Sequence, residues 1–447
     1  MGRPGTLKHA APETVRIDGV SHDGRGIAAV DGKKVFVPDV LEGEQVRILR
    51  RRRRRNYDEA ELLEVLQAAS GRSPPRCAVF GTCGGCSLQH VSPPEQRRIK
   101  ELALRDSLER IGGVVPARWL DPVADERPGG SWNYRRRARL AVKYVSGKSR
   151  VLVGFRERSK PFVTDMGRCE ILAVPVDGLI EPLSALIGEL SIRSRLPQIE
   201  VAVADNGVEL LMRVLDPPSP ADRARLVRFG AEHGVRIALQ TGGPEAIERL
   251  LPAAPEPVLE YRLPDFDLTL RFEAADFIQV NREVNRRMVS TVVDLLGIGP
   301  GVEVLDLFCG LGNFSLALAR RGAGVLGVEG EERQVRRARD NARLNGIESC
   351  EFVAADLAAL SGQEAWLARR RDRLLLDPPR SGAAEVLRYV PAIGAARIAY
   401  VSCHPGTLAR DVGQLVREAG YTLAAAGILD MFPHTAHVES IAILEKT

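Results

Sequence analysis

Short runs in which apolar and polar residues alternate dominate the first 70 positions of the chain. Five such runs are typical of β-strands, at residues 14–20, 24–30, 33–40, 44–53 and 59–67. Asp31-Gly32 between the second and third runs predicts a hairpin, because both central positions of a type I′ turn need positive φ. Five short strands in so short a span indicate a small barrel of the OB type, a common nucleic-acid platform. An unrelated small barrel is the alternative.

The next 200 residues mix both periodicities. Residues 70–77 have the Ser, Pro and Gly density of a linker, and residues 95–111 show the apolar spacing of a helix. A second helix is predicted at residues 177–193. Strand-like runs are predicted at 138–145, 150–157, 199–205, 208–215 and 235–240. The pattern predicts a central α+β domain.

From about residue 275 the pattern changes to alternating strands and helices. The apolar strands lie at 302–308, 324–330, 350–356, 373–379 and 397–403, and the segment 331–346 between two of them has helical period. This alternation predicts an α/β domain with a doubly wound, mostly parallel sheet. Ligands of such sheets lie outside the carboxyl ends of the strands.

Composition and charge restrict the function classes. The 447 residues suffice for two to four domains, and 45% hydrophobic with 27% charged residues is typical of a globular protein. No uncharged apolar run is long enough for a membrane span, and the N-terminus has no apolar core of a secretory signal. We therefore expect a cytoplasmic protein without a membrane partner.

Basic residues are concentrated in two places. Arg50–Arg55 are six consecutive arginines, and Arg135, Arg136, Arg137 and Arg139 follow Trp132 and Tyr134. Such clusters suit contacts with phosphates, so RNA or another polyanion is the expected partner. A solvated charged face is the alternative.

The segment Val304–Phe314, VLDLFCGLGNF, carries the strongest signal for a cofactor. An apolar strand ends in Asp306, and a turn with Gly310 and Gly312 opens a helix, so backbone can approach a ligand closely. A dinucleotide site is the alternative, but no second glycine pattern for a pyrophosphate and no P-loop lysine is present.

The chain resembles the class I S-adenosylmethionine methyltransferases, and within them the RNA uracil-5-methyltransferase family. The resemblance rests on FIQVN (277–281), DLFCGLGNF (306–314), GVEG (327–330), DPPR (377–380), SCHP (402–405) and HTAHVES (434–440). Residues 14–67 also resemble a TRAM domain, an RNA-binding module. The resemblance implies a TRAM-like barrel at 1–70, a cysteine-cluster loop at 71–94, a central RNA-recognition domain at 95–270 and a Rossmann-like methyltransferase domain at 271–447.

The resemblance also implies roles for individual residues. The methyl donor S-adenosylmethionine would be surrounded by Gln279, Phe308, Asn313, Glu329, Asp356 and Asp377. Cys403 would be the nucleophile and Glu439 the general base. Many members of the family have asparagine where this chain has His404, which puts the local hydrogen bonding in doubt.

The chemistry of C5 methylation needs these residue types. C5 of uracil is a poor nucleophile until a thiolate adds to C6 and generates an enolate. After methyl transfer, C5 carries both a methyl and a hydrogen, and a base must remove that hydrogen before the thiolate can leave. Cys309, inside the glycine turn, and Cys350 are expected to be packing residues.

Three further cysteines lie close together in the sequence. Cys77, Cys83 and Cys86 follow the spacing C-x5-C-x2-C, and Cys169 is the isolated candidate for a fourth thiolate in the N-terminal half. Four thiolates suit either a 4Fe–4S cluster or zinc. The loop resembles the cluster-binding segment of the same family, which implies a 4Fe–4S cluster.

The barrel and the cysteine loop together resemble the ribosomal-RNA branch of the family, so large-subunit rRNA is the expected substrate and tRNA the alternative. An amino-group methyltransferase that uses Asp377-Pro378-Pro379 is a second alternative, and it would leave Cys403 and Glu439 without a role. A catalytically silent RNA-binding or iron–sulfur sensor protein is a third.

Overall fold

The structure is a computed structural model that describes residues 5–6, 11–243, 246–250 and 258–447. The described residues form two compact units. The first contains the chain up to Ala103 together with Arg156–Phe162 and Phe432–His437. The second contains Leu104–Phe155, Val163–Met431 and Val438–Thr447. Residues 1–4 and 7–10 of the predicted first domain lie outside the described residues.

The first unit is built on a seven-stranded sheet in the order β1-β6-β7-β5-β4-β3, with β2 paired to β6. Its elements are β1 (Gly5–Thr6), β2 (Glu13–Arg16), β3 (Gly19–Val20), β4 (Gly26–Val30), β5 (Lys33–Val37), β6 (Gln45–Arg53), β7 (Tyr57–Gln67) and, as far as Ala103, α1 (Pro93–Ser107). The predicted hairpin is confirmed. Val30 pairs with Lys33 across it, and both Asp31 (φ 51°) and Gly32 (φ 74°) have positive φ.

Successive side chains of each strand point to opposite faces of the sheet, so the apolar residues lie on one face. Along β6, Val46 and Ile48 are buried while Gln45 and Arg47 are exposed. The core of the sheet consists of Val15, Ile17, Ala28, Val35, Val37, Val40, Val46, Ile48 and Ala60. A second cluster of Leu41, Leu88, Val91 and Ile99 joins α1 to the turn after β5.

The arginine run at the end of β6 is largely matched by acidic residues of neighbouring strands. The ion pairs are Arg50 with Glu13 (2.7 Å) and Asp58 (3.4 Å), Arg51 with Glu61 (2.6 Å), Arg52 with Glu59 (3.7 Å) and Arg54 with Glu59 (3.6 Å). The expectation that the run contacts phosphates stays a prediction, and these ion pairs were not part of it. The run is one side of a ladder of opposite charges between β6 and β7.

The second unit begins with a π-helical turn at Leu108–Gly112 and a six-stranded sheet in the order β10-β9-β11-β12-β13-β14. Its elements, with the short β8 and a separate hairpin, are β8 (Arg118–Trp119), β9 (Arg137–Val145), β10 (Arg150–Gly154), α2 (Ile180–Gly188), β11 (Gln198–Val203), β12 (Val208–Arg213), α3 (Pro220–His233), β13 (Arg236–Gln240), β14 (Ile247–Leu250), β15 (Leu259–Leu263) and β16 (Leu268–Phe272). The predicted strands of this region are all present.

Two helices of this region differ from the sequence prediction. The helix predicted at 177–193 is the shorter α2, which follows a 3-10 turn at Val176–Gly178. Helix α3 was not predicted. It begins with a capping box in which Ser219 and Asp222 bond to each other's backbone N–H, and Ser-x-x-Asp with proline at the first helical position is a signal that could have found it.

The C-terminal part of the second unit has an eight-stranded sheet in the order β19-β18-β17-β20-β21-β23-β22-β8. The elements are α4 (Arg282–Leu296), β17 (Glu303–Leu307), α5 (Ser315–Arg320), β18 (Gly324–Glu329), α6 (Glu332–Leu344), β19 (Cys350–Ala354), β20 (Arg373–Leu376), α7 (Ala384–Leu387), α8 (Val390–Ile393), β21 (Arg397–Ser402), α9 (Pro405–Glu418), β22 (Tyr421–Leu429) and β23 (Glu439–Lys446).

This sheet has the predicted alternation. Strands β19, β18, β17, β20 and β21 are parallel, and β23 runs antiparallel to both β21 and β22. The strand order reverses between β17 and β20, which opens a crevice at the carboxyl ends of the strands. Among the helices of the described residues, none combines the length and apolar character needed to cross a bilayer.

Candidate active site

A cavity of about 1100 Å³ lies at the carboxyl ends of the parallel strands in the second unit. Phe308, Glu329, Asp377 and Cys403 each end or directly follow β17, β18, β20 or β21, and all four line the cavity. The other predicted site residues that line it are Gln279, Asn313 and Glu439. The structure thus brings together seven residues that are spread over 161 positions of the chain.

Asp356 is the predicted donor residue that does not line this cavity. It is exposed two residues beyond β19, and its carboxylate accepts the N–H of Ala358 at 2.9 Å. Its predicted role beside the methyl donor stays a prediction.

The turn after β17 has the backbone that its sequence predicts. Gly310 (φ 55°) and Gly312 (φ 94°) are both left-handed, and a Cβ on Gly312 would lie 3.2 Å from Leu316. Phe308 also has positive φ (66°), which is uncommon for an aromatic residue and occurs where surrounding structure enforces it. The N–H groups of Phe308 and Cys309 both bond to the carbonyl of Val328.

Glu329 closes the turn from the neighbouring strand. One carboxylate oxygen accepts the N–H of Gly310 at 3.0 Å, and the other accepts those of Gly330 (2.7 Å) and Glu331 (3.2 Å). The side chain is therefore fixed at the end of β18, where a carboxylate can accept hydroxyl donors of a ligand.

Asn313 is oriented by two residues that the sequence did not single out. Its Oδ1 accepts the hydroxyl of Tyr261 (2.9 Å) and Nδ2 of Asn285 (3.1 Å), and its Nδ2 donates to Oδ1 of Asn285 (2.9 Å). Asn285 lies four residues beyond the FIQVN segment, on the first turn of α4.

Two carboxyl groups near the strand ends have raised pKa values: Asp377, which lines the cavity, and Asp306 of β17, which is fully buried. Burial and the charge of Glu329 raise the pKa of Asp377 to about 7. Burial also raises the pKa of Asp306 to about 7, aided by Asp377 and Glu329 and opposed by a hydrogen bond that Oγ of Ser315 donates at 2.5 Å. The sequence predicts Asp306 only as the last residue of a strand. Its burial follows from the packing of the whole sheet.

The FIQVN segment forms one wall of the cavity. The backbone carbonyl of Gln279 accepts Nε of the buried Arg136 at 2.8 Å. Phe277 is 71% exposed and also lines the cavity. An aromatic ring this exposed offers a stacking surface at the cavity edge.

Cys403 and Glu439 lie at the facing ends of two antiparallel strands. The ladder between β21 and β23 ends with the pair Ser402 and Ser440, so Cys403 and Glu439 are the next residues on either side. Cys403 is half-buried and Glu439 is buried. Burial raises the pKa of the Cys403 thiol, Glu439 and Asp377 raise it further, and Arg380 lowers it.

His404 takes over a structural role at the start of α9. It is the N-cap residue of that helix, and its Nδ1 accepts the N–H of Thr407 at 3.2 Å. Asparagine side chains commonly make this bond at an N-cap. His404 therefore makes, at the helix start next to Cys403, the same kind of bond that an asparagine N-cap makes.

The second basic cluster is mostly internal. Arg136 is buried, and Arg137 pairs with Glu200 (3.6 Å) and bonds to the carbonyl of Ala274. Arg139 is exposed and lines the large cavity. Trp132, Tyr134 and Arg136 line a second cavity, of about 480 Å³. Only part of the cluster reaches the surface, and its expected contact with RNA stays a prediction.

Four of the cysteines are buried (Cys83, Cys169, Cys309 and Cys350), and Cys77, Cys86 and Cys403 are half-buried. In the first unit, Sγ of Cys83 accepts the N–H of Gly85 at 3.4 Å, and the N–H of Cys77 bonds to the side chain of Gln89 at 3.1 Å. Cys169 is buried in the second unit. Within the described part of the chain, no three or more His, Cys, Asp or Glu side chains are grouped so that they could hold a metal ion.

Comparisons with known proteins show which sequences and structures this chain is similar to. The family model for tRNA (uracil-5-)-methyltransferase matches residues 259–447, and the TRAM domain model matches residues 12–63. A protein of Alkalilimnicola ehrlichii named 23S rRNA (uracil(1939)-C(5))-methyltransferase RlmD is 48% identical over 100% of this chain and 99% of its own length. The chain belongs to the RNA uracil-5-methyltransferase family.

A second member of this family, from Methylococcus capsulatus and with the same name, is 46% identical over the full length of both chains. Among solved structures, the Pyrococcus abyssi tRNA (uracil-54, C5)-methyltransferase in complex with S-adenosyl-L-homocysteine is similar with a TM-score of 0.74. The two sequences are 24% identical, and the match covers 96% of this chain and 99% of the other chain. At this identity, the similarity shows a shared fold. The predicted enzyme class and multidomain α/β fold are confirmed.

Proposed function

We propose that this protein methylates C5 of uridine 1939 in 23S rRNA, in the cytoplasm. The observation that carries the proposal is the juxtaposition of Cys403 and Glu439 at the edge of the large cavity. The choice of substrate is supported by the names of two relatives, both called 23S rRNA (uracil(1939)-C(5))-methyltransferase, which are 46–48% identical to this chain over its full length. The domain boundaries expected at residues 70, 94 and 270 are part of the proposal.

The chain's residues divide the reaction between them. The thiolate of Cys403 adds to C6 of the uracil, which makes C5 a carbon nucleophile. S-adenosylmethionine, when bound, supplies an electrophilic methyl to C5. Glu439 then accepts the C5 hydrogen as a proton, the bond between C6 and sulfur breaks, and the thiolate is regenerated. The uridine must leave its stack, because Cys403 needs access to a face of the ring.

The methyl donor fits the acidic part of the cavity. Glu329 is fixed where it can accept ribose hydroxyls, Asn313 is held by two partners, and Asp377 supplies negative charge for a cationic ligand. Gln279 and Phe308 complete the proposed donor set on the facing walls, and Asp356 is included from the family resemblance.

The decisive experiment measures methyl transfer to unmodified 23S rRNA and, separately, to unmodified tRNA, and identifies the product nucleoside by mass. We expect 5-methyluridine in rRNA, and none in rRNA that carries cytidine at position 1939. The same nucleoside in tRNA alone would overturn the substrate, and a methylated amino group would overturn the mechanism. With 5-fluorouridine at the target, the wild type should form a covalent complex and Cys403→Ala should not.

We further propose that Cys77, Cys83, Cys86 and Cys169 hold a 4Fe–4S cluster. The proposal is supported by the family resemblance of the loop and by Sγ of Cys83, which accepts a backbone N–H as cluster thiolates commonly do. Iron, sulfide and zinc analysis of protein purified without oxygen tests it. We expect four irons and four sulfides per chain, and loss of both in Cys83→Ser. Stoichiometric zinc, or no metal, would contradict the cluster.

A further inference from the structure

His434 has a left-handed backbone conformation, which is uncommon for residues other than glycine. Its φ is 65°, and its side chain is buried. Both of its backbone polar groups are bonded within the first unit. Its N–H donates to Oε1 of Gln96 at 2.7 Å, and its carbonyl accepts the N–H groups of Ser87 and Leu88, each at 2.9 Å. A strained conformation of this kind persists only where its surroundings determine it.

Gln96, on the first turns of α1, is the centre of these contacts. It is 1% exposed, and its Nε2 donates to the carbonyls of Leu88 (3.1 Å) and Val91 (2.8 Å) and lies 3.1 Å from Nδ1 of His434. The carboxamide of Gln96 thus connects the backbone of Leu88 and Val91 with both the backbone and the ring of His434.

The rest of the segment Phe432–His437, called here the approach segment, is held by the same region. The N–H of Ala436 donates to Oγ of Ser87 at 2.9 Å, and Nζ of Lys100 donates to the carbonyl of Phe432 at 2.9 Å. Residues 87–100 therefore hold the approach segment near its beginning, its middle and its end.

The approach segment leads directly to the proposed base. Glu439 is the second residue after it and the first residue of β23. We propose that Gln96 is a positioning residue for Glu439, acting through the approach segment on proton removal from C5. The inference rests on the proposed function. No catalytic role for Gln96 is involved, since its carboxamide is occupied by backbone and by His434.

This placement predicts a selective defect. Cys403 follows β21 and is held by the start of α9, neither of which belongs to the approach segment. Disturbing Gln96 should therefore slow the elimination step, which needs Glu439, and leave formation of the covalent adduct, which needs Cys403, nearly unchanged.

Gln96→Glu is the variant that tests the inference. It keeps Oε1 and the shape of the side chain but replaces the N–H donors with an acceptor that faces two carbonyls. On ordinary RNA we expect elimination to slow about tenfold or more, equivalent to at least ~1.4 kcal/mol in the barrier, so that methylated RNA accumulates covalently on the protein. Adduct formation with 5-fluorouridine RNA should stay within about twofold of wild type, because it does not require the base.

Three variants accompany it. Gln363→Glu adds the same charge at an exposed position between β19 and β20 and should behave as wild type. Glu439→Gln should accumulate the same intermediate to a greater extent. Ser87→Ala removes only the hydrogen bond to Ala436. It should slow elimination less than Gln96→Glu does, again with adduct formation nearly unchanged, and it tests the inference if Gln96→Glu does not fold.

The outcomes separate the two proposals. Normal elimination in Gln96→Glu and Ser87→Ala, with accumulation in Glu439→Gln, would overturn the positioning role and leave the proposed function intact. An equal fall in adduct formation and elimination would also overturn it, because that is the effect of a general structural defect. No accumulation in Glu439→Gln would overturn the role of the base and the inference with it.

Discussion

Cys403 and Glu439 face each other one position beyond the last pair of the ladder between β21 and β23. Positions directly opposite in an antiparallel pair have Cα atoms about 4.5–5.5 Å apart. C5 and C6 are bonded neighbours in the uracil ring, so a nucleophile for one and a base for the other must also be neighbours. The sheet provides this spacing through its backbone pairing.

The first prediction concerns the thiol of Cys403, whose pKa lies above the usual range because of burial and because of Glu439 and Asp377. Its alkylation by iodoacetamide should increase with pH through an elevated midpoint. Glu439→Gln should lower that midpoint, since it removes one of the two nearby negative charges. Arg380→Ala should raise it. The measurement is the alkylation rate of Cys403 as a function of pH, followed by mass spectrometry.

The buried thiols of Cys309 and Cys350 provide an internal control in the same samples, because burial also raises the pKa of each and both are inaccessible. An unchanged midpoint in Glu439→Gln would show that the charge of Glu439 does not act on the thiol.

The second prediction concerns binding of the methyl donor. Asp377 has a pKa of about 7, and a cationic sulfonium favours its ionised form, so binding should release a proton near neutral pH. Affinity for S-adenosylmethionine should therefore fall about tenfold from pH 8 to pH 6. S-adenosylhomocysteine has no charge on sulfur, and its affinity should change less. Calorimetry in two buffers of different ionisation heat measures both quantities.

Asp377→Asn should bind more weakly at pH 8 and lose the pH dependence. A pH dependence that persisted in this variant would assign the titration to another carboxyl group, with the buried Asp306 as the next candidate.

The third prediction concerns stability. The pKa of Asp306 is about 7 in the folded protein and close to 4 in the unfolded chain, so folding binds a proton between these values. Stability from this group is therefore lost as pH rises from about 4 to about 7. Asp306→Asn should stabilise the ligand-free protein at pH 8, by up to about 4 kcal/mol, and should give little advantage near pH 5. Urea unfolding at both pH values measures this, and equal effects at the two would contradict it.

The fourth prediction concerns the cap of α9. His404→Ala removes the acceptor for the N–H of Thr407 and should lower the free energy of unfolding by about 1 kcal/mol. His404→Asn should restore it, because the shorter side chain can make the same bond. If His404→Ala unfolds at the same urea concentration as wild type, the histidine does not stabilise the helix start.

Strands and their ends could be predicted from sequence because the signals are local. The apolar runs of the parallel sheet, the glycine turn after β17 and the Asp31-Gly32 hairpin each depend on residues close in the chain. Helix α3 was missed although its capping box is also local, because the apolar positions that follow Ser219 are sparse.

The parts of the site that could not be predicted depend on distant residues. Asn313 is oriented by Tyr261, 52 positions away, and Gln96 is bonded to His434 across 338 positions. The ion pairs of the arginine run could not be predicted for the same reason. Six adjacent positive charges are visible in the sequence, but the glutamates that face them become neighbours only when β7 pairs with β6.

That pairing has a consequence for how the first unit would behave toward RNA. Each glutamate beside an arginine acts as a tethered counterion, so a phosphate that binds there exchanges with a carboxylate instead of releasing a dissolved cation. The dependence of RNA affinity on salt should then be shallower than the number of arginines suggests. On such a surface, a phosphate binds only if it competes with the glutamate carboxylate, which is always present. The surface should therefore bind an RNA with a few phosphates in the right positions better than a polyanion that only has a high charge.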